Sequence, residues 1–180
     1  MPAWAEVGQK GTDPPFQGFP GKVRALASFR GSYRHSLDDK GRLALPKPFR
    51  KVTGVKKKEG PEPNLVLTKG FNNCVSMYTE KDWPRYEQKL REELFTDQGS
   101  RDFVLELAEQ TMDVPIDTVG RILIPALHME MGGFRRSQEI LILGVFDHIE
   151  LWDPQRYREH IAKSEGTFEE RAKNFFRSKE

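Results

Sequence analysis

DDKGRLALP, residues 38–46, returns 79 positions later as DTVGRILIP, residues 117–125. Asp38/Asp117, Gly41/Gly120, Arg42/Arg121 and Pro46/Pro125 are identical, and Leu43/Ile122 and Leu45/Ile124 are apolar in both copies. An aspartate opening a tight turn accepts hydrogen bonds from N–H groups further along it. A glycine three residues on supplies the positive φ that a type I turn with a bulge needs before a strand. Asp38, Gly41, Asp117 and Gly120 are therefore read as turn formers. Strand alternation sends Leu43 and Leu45 to one face and Arg42 and Ala44 to the other, and Arg121 stands in the same relation to Ile122 and Ile124. Pro46 and Pro125 end the strands, because proline cannot donate to a central ladder. Each copy aims one guanidinium from the rim of a small sheet.

Outward from these turns the chain reads as two passes through one plan. In the first, FRGSYRHSL is a strand, DDKG the turn and RLALP a second strand. KVTGVKKKEGPEPN follows as a loop, and NLVLTKG and CVSMYT are two more strands. A helix follows, with Asp82 as its cap and Trp83, Tyr86, Leu90 and Leu94 on one face. In the second, QTMDVPI, DTVG, RILIP, EILILG and HIELW repeat the order, and Asp153-Pro154 opens a helix bearing Tyr157 and Ile161. Gly70–Tyr78 aligns on Gly144–Trp152 without gaps at an offset of 74, so the first copy holds five extra residues, placed in KKKEGPEP. RDFVLELAEQ and TFEERAKNFF add a helix after each copy, with apolar faces of Phe103, Val104, Leu107 and Ala108, and of Phe168, Ala172, Phe175 and Phe176. Residues 1–28, with four prolines and four glycines, read as a disordered N-terminal extension. Residues 29–100 and 101–180 are the two repeat units.

The 180 residues carry a net charge of +2, unevenly spread. Residues 1–60 hold 13 Lys and Arg against 5 Asp and Glu, and residues 61–180 hold 16 against 22. A basic first third on an acidic remainder points one face at a polyanion. No apolar run approaches the roughly 20 residues of a membrane helix, and no secretory leader is visible. With a single cysteine, Cys74, the chain fits a reducing cytoplasm and has no internal disulfide. Cys74 is read as a small buried hydrophobe.

A regular pair of arginines suits phosphates or guanine edges in a major groove. Arg42 and Arg121 are thus the candidate binding residues, with Lys40, Arg34 and Lys47, and also Arg50 and Lys51, as phosphate contacts, although the doubled motif does not by itself say DNA. Thr118, Val119 and Ala126 replace Asp39, Lys40 and Lys47 in the second copy, so charge alone assigns more of the binding to the first. The plainer alternative is that each aspartate pairs with its arginine only to hold the turn. His35, His128, His148 and His160 lack metal-ligand spacing, and no triad or nucleotide-binding signature is present, so no catalytic residue, metal or cofactor is expected. A rival reading makes the chain an oligomeric protein-interaction scaffold, with Trp83, Trp152, Phe175 and Phe176 in the core or between subunits.

FRGSYRHSLDDKGRLALPKPFR, DVPIDTVGRILIP and FDHIELWDPQRY resemble the MraZ family of bacterial transcriptional regulators, over residues 29 to about 165. That family is part of the AbrB/SpoVT group. The resemblance implies an α+β fold, a double-split (swapped-hairpin) β-barrel built from two tandem half-barrel repeats with flanking helices. It further implies a cytoplasmic, nucleoid-associated homo-oligomer, a ring, on double-stranded DNA. Its targets would be direct repeats upstream of the division and cell-wall gene cluster. Arg42 and Arg121 fall on the family's DNA-contacting arginines. The 28-residue leader and the long KKKEGPEP loop depart from the family pattern.

Overall fold

The computed structural model describes residues 28–54 and 63–177. The expected leader and the KKKEGPEP loop fall, apart from Ser28 and Pro63, outside the described residues. The first copy runs β1 (Phe29–Ser36), β2 (Arg42–Ala44), α1 (Lys47–Val52), β3 (Asn64–Lys69), β4 (Val75–Thr79) and α2 (Trp83–Glu93). The second runs α3 (Gln98–Glu109), β5 (Met112–Pro115), β6 (Arg121–Leu123), α4 (Ala126–Gly132), β7 (Glu139–Phe146), β8 (His148–Trp152), α5 (Pro154–Ala162) and α6 (Phe168–Arg177). The fold class is α+β, as expected.

The strand order carries the symmetry of the sequence. Six antiparallel strands lie in the order β1-β7-β8-β4-β3-β5, and β2 pairs with β6 in a separate ribbon. Exchanging the copies turns this order into its own reverse. Among the described residues the β3–β4 and β7–β8 hairpins are internal to a copy, as are the single bridges Leu37–Leu43 and Ile116–Ile122. The first strand of each copy pairs with the third strand of the other, β1 with β7 and β5 with β3. In the ribbon Leu43 faces Ile122, and in the sheet Ser76 faces Glu150. Each of these two pairs joins equivalent positions, as residues on a twofold axis must be. The sheet ends at β1 and β5, and no pairing between them closes it among the described residues.

The ladders correct the gap-free alignment. Leu65 faces Thr79 in the first hairpin, and Ile140, Leu141 and Ile142 of β7 occupy the places of Leu65, Val66 and Leu67, because Leu141 faces Trp152. Gly144 is therefore the counterpart of Lys69 rather than Gly70. The β3–β4 connection carries one residue more than β7–β8, and the other four extra residues precede β3.

Ribbon and sheet close on one core. Leu43, Leu45, Ile122 and Ile124 bury against Phe29, Phe49, Leu65, Met77, Ile142 and Ile149 in a continuous cluster. The Phe49 ring meets Phe29 and Tyr33 edge-on, with centroids 5.3 and 5.0 Å away. A second clasp is duplicated at an offset of 74. Tyr78 packs on Trp83 and Tyr86, and Trp152 packs on Tyr157 and His160, which docks α2 and α5 on the sheet.

The helices depart from expectation in instructive ways. Lys51 and Val52, read as loop, end α1, and α4 is likewise a helix that periodicity did not show. Helices of six and seven residues are too short for a 3.6-residue pattern to emerge. Asp82 precedes α2 but does not cap it. Its carboxylate accepts the Thr79 hydroxyl at 2.6 Å instead. Asp153 does cap α5, accepting the N–H groups of Gln155 and Arg156 at 2.8 and 2.9 Å. Of the two apolar faces read on the end helices, Leu107 is buried, whereas Phe168, Phe175 and Phe176 are exposed. Cys74 is buried, which pushes its thiol up to about 12.

Candidate nucleic-acid interface

Both nonapeptides fold into the same hydrogen-bonded unit. In the first, Gly41 N–H donates to the Asp38 carbonyl at 3.0 Å and Asp38 N–H to the Arg42 carbonyl at 2.9 Å. The Asp38 carboxylate takes the N–H groups of Lys40 and Arg42 on Oδ1, both at 2.9 Å, and Arg42 Nε on Oδ2 at 2.6 Å. The second turn repeats every contact. Asp117 Oδ1 accepts Val119 and Arg121 N–H at 3.0 and 2.8 Å, and Oδ2 accepts Arg121 Nε at 2.9 Å. Gly41 and Gly120 have φ of +79° and +80°, in the left-handed region open to glycine. The turns also hold each other, since Leu45 N–H donates to Gly120 and Ile124 N–H to Gly41.

The electrostatics follow from these bonds. The backbone N–H of Arg42 holds the Asp38 carboxyl below its ordinary value against desolvation, with the Arg42 guanidinium and the Lys40 N–H adding to it. At Asp117 burial acts upward, and the N–H and guanidinium of Arg121 outweigh it to the same net direction. Each carboxylate grips the Nε edge of its arginine. Among the described residues neither Arg42 nor Arg121 has another side-chain partner, and their side chains are 31% and 36% exposed. Nη1 and Nη2, the two ends that make bidentate contacts, carry no hydrogen bond among the described residues. The pairing across the turn that the plainer alternative expected is present in both copies.

The ribbon sets their spacing. Leu43 and Ile122 turn inward, so Arg42, Ala44, Arg121 and Leu123 share the outward face. Arg42 faces Leu123 and Ala44 faces Arg121, which makes the arginines diagonal neighbours, roughly 7–8 Å apart at their base. Lys40 is exposed at the first turn and Lys47 at the start of α1. Arg34 lies outward on β1 and is tied to Glu139 by a 2.8 Å ion pair. Its charge is shared with that acid.

Arg50 redraws the charge balance. From α1 its Nε donates to the Leu45 carbonyl at 2.7 Å, and its side chain lies over Gly120, where an added Cβ would sit 2.5 Å from Cδ. A cation of the first copy thus serves the turn of the second, which lacks the counterpart of Lys40. The contact spans 70 residues, and the symmetry-related position is Met129, so no local pattern announces it. Sequence reasoning also passed over His148, which stacks on Tyr78 with Nδ1 2.7 Å from Asp147. Burial works against the imidazolium there, but Glu150 and Asp147 hold the pKa above its usual value.

The MraZ family model, described as an antitoxin-like MraZ protein, matches residues 28–105 and again 107–178. The chain belongs to the MraZ family. Several relatives carry the name transcriptional regulator MraZ. The one from Moorella thermoacetica is 36% identical over 141 residues, 78% of this chain and 92% of its own length. That of Syntrophomonas wolfei is 33% identical over 146 residues, covering 81% and 95%. The protein of Acetivibrio thermocellus is 36% identical over 132 residues, covering 73% and 85%. A regulatory rather than enzymatic role is what these MraZ relatives support. No helix among the described residues is long and apolar enough to cross a membrane.

Proposed function

We propose that this MraZ-family chain is a sequence-specific, double-stranded-DNA-binding transcriptional regulator whose reading head is the β2–β6 ribbon. The observation that carries the reading is the pair of aspartate-held guanidiniums, Arg42 and Arg121, each bonded through Nε alone among the described residues. Such a fork matches guanine O6 and N7, or two phosphate oxygens. Lys40, Lys47, Arg34 and Arg50 take the phosphate backbone. The reciprocal strand exchange and the common core of ribbon and sheet favour a double-split barrel made of two fused halves, residues 29–100 and 101–180. The exposed aromatics of α6 favour assembly of several chains into a ring, in which successive ribbons meet successive direct repeats. The targets are repeats upstream of the division and cell-wall genes, and the protein acts in the cytoplasm at the nucleoid.

Fluorescence anisotropy on a duplex carrying the host's own upstream repeats tests this, beside a scrambled duplex and across a salt series. Tight binding that weakens steeply with salt, and that Arg42→Ala lowers by about 1–3 kcal/mol, is expected. Equal, weak binding of both proteins to both duplexes would remove DNA from the function and leave the scaffold reading.

A further inference from the structure

We infer that Leu123 reads the 5-methyl group of a thymine next to the base pair met by Arg42, so that the two ends of the ribbon recognise different base pairs. The inference rests on the proposed DNA-binding reading and deepens it. Leu123 stands directly opposite Arg42 on the outward face and is 55% exposed, although the inward residues of the same strands are fully buried. A leucine held out on a two-stranded ribbon has no core to serve. Its symmetry-related position holds Ala44, which faces Arg121. The turns differ in the same sense, with Lys40 in the first and Val119, also 55% exposed, in the second. One corner therefore presents Lys40, Arg42 and Leu123, and the other Val119, Arg121 and Ala44, with Arg50 over the neighbouring Gly120.

The surroundings decide what Leu123 meets. Arg42 lies across the ribbon and Arg121 two residues before it, and Lys40 extends the basic rim; Asp39, at the turn tip, is an acidic exception. A cationic rim fits a polyanion rather than an apolar protein surface. The apolar group that a DNA major groove offers at a base edge is the thymine methyl. Directly opposite side chains stand about 4.5–5.5 Å apart at Cβ, within reach of adjacent base pairs. A head with unlike corners reads a non-palindromic element, since palindromic operators mirror twofold proteins.

The test uses the full-length protein and the upstream duplex, with thymine replaced by uracil on one strand, then on the other. Removing a buried methyl is expected to weaken wild-type binding about fourfold on one of the two strands. Leu123→Ala should bind the thymine duplex correspondingly less well and no longer distinguish it from the uracil duplex. Wild-type binding that depends on Arg42 but ignores the uracil exchange overturns the inference and leaves the DNA-binding reading standing. Retained discrimination in Leu123→Ala, together with a changed sedimentation coefficient of the DNA-free protein, assigns the leucine to subunit contact and also overturns it. Absence of any specific DNA binding overturns both.

Discussion

At the scale of single residues, the aspartates of the two turns are orienting groups. By accepting Arg42 Nε, Asp38 removes rotamer freedom that the arginine would otherwise lose on binding. Freezing such a side chain costs about 0.5–1.5 kcal/mol. Asp38→Ala is therefore expected to weaken specific DNA binding by roughly 2–10-fold even with every arginine in place, as anisotropy would report. The two glycines separate strain from crowding. Both have positive φ, so alanine at either is strained by about 1 kcal/mol. At Gly41 nothing lies within 4 Å of an added Cβ, whereas at Gly120 it would press on Arg50. Thermal unfolding should find Gly120→Ala the less stable variant, and only that one should also disturb Arg50.

At the scale of elements, the repeated turn, its glycines and the inward leucines were legible because a nine-residue pattern carries its own mechanism. Strands β1, β3, β4, β5, β7 and β8 were legible as short apolar runs bounded by turn residues. The partner of each strand was not, since hydrogen bonding between copies leaves no local mark. Nor were α1 and α4, too short to show a period. The charge ranking of the two copies missed Arg50 because that arginine crosses from one copy to the other. Gly144 shows how close the strand exchange is. An added Cβ there would sit 2.5 Å from the Arg30 backbone nitrogen and 2.6 Å from the Phe29 carbonyl carbon. Gly144→Val is expected to part β1 from β7, lowering the melting temperature and exposing β1 amides to hydrogen exchange. Unchanged protection over Tyr33–Ser36 would mean that the sheet edge does not depend on this approach.

At the scale of the whole molecule, one buried and one half-buried imidazole limit stability from opposite sides of neutrality. His128 is fully buried, with Nε2 3.0 Å from the Gln110 carbonyl, and burial lowers its pKa. Its effect leaves stability complete above about pH 6.5 and removes it as pH falls below that value. His148 is shifted the other way, so its contribution is complete below about pH 6.5 and fades as pH rises through its folded value. Together they leave the melting temperature of the wild type highest near pH 6.5 and falling on either side of it. His148→Gln should lose the decline above about pH 6.5 and keep the one below it, and an unchanged alkaline decline would refute the role of His148. The strand exchange makes a second prediction. Residues 28–96 and 97–177 expressed apart each lack the partner of their first strand, so neither should fold as a monomer, and mixing them should restore the melting transition. A monomeric, cooperatively folding half would contradict the exchange.

The pair Ser76 and Glu150, facing each other at the centre of the sheet, bears on how such a molecule changes over generations. In a dimer of identical chains, any residue on the axis must face its own copy. A glutamate there would meet a glutamate, two like charges directly opposed, at a cost in stability. Joining the halves in one gene lifts that restriction. Ser76 stands opposite Glu150, whose carboxylate is then free to accept Trp152 Nε1 at 2.8 Å and to lie 3.5 Å from His148. Duplication within a reading frame lets the two halves drift apart at the very positions where identity would be most costly.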